Sequence, residues 1–73
     1  MSQMIAYADL ENRFTYHKPN DSQLAKYVEI RVNILQVATL ILELTPASRE
    51  QSLAITKLEE AVFWANASIA RKE

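Results

Sequence analysis

The sequence contains no cysteine and no glycine. Without cysteine there is no disulfide, no thiol nucleophile and no thiolate metal site. Without glycine there is no phosphate loop, no dinucleotide-binding fingerprint and no glycine-hinged lid. A single histidine argues against a multi-histidine metal site and against a histidine-paired relay within one chain. Most enzyme classes are excluded on these grounds, and no cofactor is expected. Eight Lys and Arg against nine Asp and Glu leave a net charge of -1, which argues against long nucleic acid, whose ligands carry a basic face. The longest apolar run, Ile34 to Leu44, is interrupted by Gln36, Thr39 and Glu43 and is too short to span a bilayer. The Met1-Ser2-Gln3-Met4 start lacks the basic and apolar pattern of a secretory signal, so a cytoplasmic location and no membrane partner are expected.

What is present is a globular composition, 49% hydrophobic and 23% charged over 73 residues. That length holds one small domain. Domains of this size without a disulfide or metal have thin cores, for which oligomerisation is a common remedy.

The pattern reads as all-α in three segments. A short helix covers about residues 2–13, where Ile5, Tyr7, Ala8, Leu10 and Phe14 recur at helical spacing. An aromatic and basic break follows over 14–20, in which Pro19 disfavours a helical Lys18. Asn20, with Gln23 three residues on, resembles a helix start, and the second helix runs over 21–44. Thr45-Pro46 ends it. Ser48 with Gln51 reads as a capping box opening a third helix over 48–71. The connection is short, so the two long helices are expected to form an antiparallel hairpin, each ~35 Å long at 1.5 Å per residue.

The second helix carries two apolar stripes. The first is Leu24, Tyr27/Val28, Arg31, Ile34/Leu35, Ala38 and Ile41/Leu42; the second is Ile30, Val37 and Leu44. A helix apolar on two faces needs two partners. One hairpin neighbour supplies only one, so a second subunit is expected on the other.

Two features are candidates for chemistry. Arg13-Phe14-Thr15-Tyr16-His17-Lys18 concentrates rings and fixed cations, with no acidic residue between Glu11 and Asp21. Rings stack on bases and cations neutralise phosphates, which suits a small nucleotide; the alternative is that Phe14 and Tyr16 fold back as core. Arg31 lies in the first apolar stripe, where an unpaired cation would be costly. Its partner is either a carboxylate such as Glu59 or Glu60 or a ligand phosphate. Arg71 and Lys72 complement the C-terminal dipole of the third helix. Glu59 and Glu60 are adjacent in the helix and diverge, and Trp64 reads as core or interface.

Arg13-Phe14-Thr15-Tyr16-His17-Lys18-Pro19, together with Thr56-Lys57-Leu58-Glu59-Glu60-Ala61 and Trp64-Ala65-Asn66 inside the stretch Ser48 to Arg71, resembles a family of small tailed-phage proteins. These are the cyclic-oligonucleotide sponges called anti-CBASS protein two, and the resemblance extends over roughly Arg13 to Glu73. It implies an all-helical homohexamer in the host cytoplasm that sequesters, without cleaving, the messengers of bacterial cyclase-based immunity. Cyclic dinucleotides and cyclic trinucleotides are held at separate types of site. By position, Tyr16 matches the family's base-stacking tyrosine. Arg31 matches a phosphate-binding residue usually found as lysine, with Lys18 as a further cation beside Tyr16. Arg71 matches the arginine of the trinucleotide site. From another class comes the alternative of a structural or adaptor oligomer that binds a host protein through the aromatic segment.

Overall fold

A computed structural model describes residues 5–73. It contains three helices: α1, Tyr7–Phe14; α2, Asp21–Leu44; and α3, Arg49–Lys72. The fold is all-α, a short N-terminal helix followed by two long packed helices that form a hairpin. The first helix is shorter than the expected 2–13. Ile5 and Ala6 precede it in non-helical conformation, and residues 2–4 of that expectation lie outside the described residues.

α2 begins where its capping signal stands. Asn20 Oδ1 accepts from the Gln23 amide at 2.8 Å, and Gln23 Oε1 accepts from the Asn20 amide at 3.0 Å. This reciprocal box satisfies two of the donors that a helix start leaves unpaired. Only half of the box expected at α3 forms. Ser48 Oγ accepts from the Gln51 amide at 3.1 Å, but the Gln51 carboxamide turns away from Ser48. Its Nε2 donates to the carbonyl and hydroxyl oxygens of Thr45, each at 3.0 Å. The carbonyl at the end of α2 has lost its helical partner, and Gln51 answers that need across the turn.

The two helices meet along a seam of half-buried side chains. On α2 these are Gln23, Tyr27, Ile30, Ile34, Ala38 and Ile41, and on α3 they include Leu58, Val62, Ala65 and Ile69. The three- and four-residue steps on α2 resemble those of coiled-coil packing. This seam corrects the first stripe read from sequence. Ile30 belongs to it, whereas Leu24, Val28, Arg31, Leu35 and Leu42 are exposed on an adjoining face. The seam tracks the Tyr27–Ile34–Ile41 heptad, and its neighbour is an uncovered apolar strip that Arg31 shares.

No described side chain is fully buried. The molecule measures 46 × 39 × 14 Å with a radius of gyration of 16.0 Å, against about 11 Å for a compact domain of this length. It is a thin slab. At its open end, Lys26 Nζ pairs with Glu73 Oε2 at 2.7 Å, and that hydrogen bond holds the Glu73 carboxyl below its ordinary value. A lowered folded-state value means that the pair's contribution is present above the ordinary carboxylate range and lost as pH falls through the folded value.

Two outcomes follow from these contacts. Asn20→Ala should cost about 1 kcal/mol of stability, read as a lower melting temperature with the helical circular dichroism spectrum retained. Any difference in melting temperature between Glu73→Gln and the unmutated protein should be small at pH 7 and vanish as pH falls through the lowered folded-state value. A difference that grows on acidification would contradict the assigned ion pair.

Candidate functional site

The break between α1 and α2 does not fold back into a core. Phe14 is 84% exposed and Tyr16 82%, so the core reading of this segment is set aside for the single chain. The segment is held at two points. Thr15 Oγ1 donates to the Glu11 carbonyl at 2.6 Å, which extends the last turn of α1. His17 Nε2 lies 2.8 Å from the Asn12 carbonyl. A carbonyl only accepts, so this ring nitrogen carries the hydrogen. Between the two anchors the Tyr16 ring stands out into solvent.

That ring lines a cavity of ≈ 410 Å³ where the break meets the C-terminal half of α3. Tyr27 from α2 and Phe63 from α3 bring further rings to it, and His17 lies beside Tyr16. Arg13 and Arg71 contribute guanidinium groups, and none of the lining residues is acidic. Arg13 is also paired with Asp9 at 3.0 Å, whereas Arg71 is half-buried and forms no ion pair among the described residues. Asn66 completes the wall, and its Oδ1 is shielded from solvent without a hydrogen-bond partner.

A second cavity of ≈ 520 Å³ lies beside it, with Phe14 and Trp64 as its rings and Arg13, Arg71 and Lys72 as its cations. Arg71 therefore borders both cavities. Trp64 is 57% exposed and meets Phe63 edge to face at 5.4 Å between ring centres. Among the described residues, no group of three His, Asp or Glu side chains is placed to hold a metal ion. No described helix is long and apolar enough to cross a membrane.

The four residues singled out in the sequence fall into two groups. Tyr16 and Arg71, assigned to different ligands, border one cavity in a single chain. Arg31 and Lys18 are exposed and line neither cavity. Arg31 has no ion pair with Glu59, Glu60 or any other described carboxylate, so the carboxylate alternative does not hold within the chain. Sequence reasoning missed Tyr27, Phe63 and Asn66 as cavity walls. Tyr27 and Asn66 were legible as polar-tipped residues near an apolar seam. Phe63 was not, because only the packing of the break against α3 gives it this role.

These features define a helical-hairpin module whose exposed rings and guanidinium groups gather where the short helix meets the end of the third. A family model for the Acb2/Tad1 hairpin domain matches residues 6–70, and the chain belongs to that family. No curated protein and no solved structure matches it.

Because Arg31 has no carboxylate partner among the described residues, its removal orphans no anion within the chain, and Arg31→Ala should stay folded with its helical spectrum retained. Tyr16→Ala should behave alike in thermal denaturation. Unfolding of the Arg31 variant would show that the guanidinium has a structural anion after all.

Proposed function

We propose that this protein is a non-enzymatic sponge, a helical homo-oligomer that captures cyclic dinucleotides and cyclic trinucleotides and thereby lowers their free concentration. The observation that carries this reading is membership of the Acb2/Tad1 hairpin domain family, which is associated with sponge proteins and includes anti-CBASS protein two. The ring-and-guanidinium cavity supports it, because its chemistry suits flat bases joined by phosphates.

In this reading Tyr16 stacks on a base of the dinucleotide, Arg31 reaches its phosphate, and Lys18 adds positive charge beside Tyr16. Arg31 and Tyr16 border no common cavity in one chain, and in this reading different copies supply them to one ligand. Two chains about a two-fold axis offer each residue twice, which matches a ligand with two bases and two phosphates. Arg71 from three chains about a three-fold axis would face the three phosphates of a cyclic trinucleotide. A hexamer has both kinds of axis.

The energetics are compatible with tight capture. Two stacked bases at ~1–3 kcal/mol each and two charge-assisted contacts at ~1.5–3 kcal/mol each approach the ~12 kcal/mol of a nanomolar complex. Enclosure between copies would offset the cost of ordering the ligand. The chain offers no paired nucleophile and base, so a captured messenger should leave unchanged.

Calorimetric titration with a panel of cyclic dinucleotides and trinucleotides tests the reading. Tyr16→Ala should cost roughly 1–3 kcal/mol of dinucleotide affinity and leave the trinucleotide bound. Arg31→Ala should weaken the dinucleotide further, and Arg31→Lys should keep part of its affinity. Arg71→Ala should lose the trinucleotide alone. Full displacement of one ligand class by the other at saturation would contradict separate sites. Chromatography of ligand released by heat should recover it intact; linear product above a protein-free control would restore an enzymatic reading.

A further inference from the structure

Asn12 stands near the end of α1 and is hydrogen-bonded in two directions. Its Nδ2 donates to the main-chain carbonyl of Arg71 at 3.2 Å, reaching one of the acceptors that the end of α3 leaves without a helical donor. Its main-chain carbonyl accepts from His17 Nε2 at 2.8 Å. The first bond ties α1 to α3, and the second ties the break to α1. α2 and α3 pack along a seam, but α1 has no comparable seam with either. In this thin molecule the position of α1, and of the segment that follows it, therefore leans on such discrete bonds.

Tyr16 lies immediately before His17 and borders the cavity to which Phe63, Asn66 and Arg71 of α3 also contribute. The path from α3 back to the ring runs from the Arg71 carbonyl through Asn12 to His17. We infer that Asn12 is a positioning residue for Tyr16: its two hydrogen bonds fix where the ring stands at the mouth of the cavity it shares with α3. The inference rests on the proposed stacking role of Tyr16. Its physical basis is preorganisation, because a ring already held in place loses less freedom when a base stacks on it.

A double-mutant cycle tests this. The probe is whichever cyclic dinucleotide of the panel binds the unmutated protein most tightly, titrated calorimetrically into four proteins: unmutated, Asn12→Ala, Tyr16→Ala and the double variant. Asn12→Ala should weaken binding about tenfold alone and less than about twofold in the Tyr16→Ala background. His17→Leu should reproduce the loss. His17→Gln, whose carboxamide can donate to the same carbonyl, should restore most of the affinity. If Asn12→Ala lowers the helix content, Asn12→Leu, close in size but without a donor, takes its place in the same cycle. An equal loss with and without the Tyr16 ring would overturn the positioning role, as would full affinity in Asn12→Ala when Tyr16→Ala binds weakly. Undiminished binding by Tyr16→Ala would overturn the stacking reading and the positioning role with it.

Discussion

Two 24-residue helices joined by Thr45-Pro46-Ala47-Ser48 can cover only one side of each other, and α2 is apolar on more than one side. Its seam face meets α3, while Leu24, Val28, Leu35 and Leu42 run beside the seam and are exposed among the described residues. Val37, Leu40 and Leu44 are exposed on the other flank. Fully burying such a side chain from full exposure is worth about 1.5–3 kcal/mol, these retain about two-fifths of that exposure or more, and none of the described residues is fully buried in the single chain. Such a pattern argues for assembly, and the proposed dinucleotide site, in which separate copies supply Tyr16 and Arg31, would have the same requirement.

The working end of the molecule is assembled by hydrogen bonds more than by packing. Gln23 serves the start of α2 through its cap and also donates to the Ile69 carbonyl at 3.5 Å. Lys26 reaches Glu73, and Asn12 reaches Arg71. Each bond joins an element near the break to the last turns of α3, where the rings and guanidinium groups gather. Polar side chains at these positions are thus spent on placing the break, while the aromatic ones remain free at its surface.

Much of this was readable in the residues. Asn20 with Gln23, and Thr45-Pro46 before Ser48, mark the ends of α2 and the start of α3 because capping is local chemistry. The unusual density of rings and cations from Arg13 to Lys18 drew attention to the break for the same reason. The seam was harder. A helix with two adjoining apolar stripes has more than one plausible contact face, and the choice of Ile30 over Leu24 and Val28 depends on how α3 lies against it. That choice also moved Arg31 from a supposed interior position to the surface. The shared cavity of Tyr16 and Arg71 was not legible, because it depends on how α1 is set against α3, to which Asn12 contributes a contact spanning 59 positions.

The central claim is that the folded protein is an assembly whose uncovered α2 face is closed by other copies. Sedimentation velocity across a dilution series, with circular dichroism on the same samples, tests it most directly. Association should persist at micromolar concentration, and helix content should fall together with dissociation on further dilution. A stably folded, fully helical monomer at micromolar concentration would contradict it.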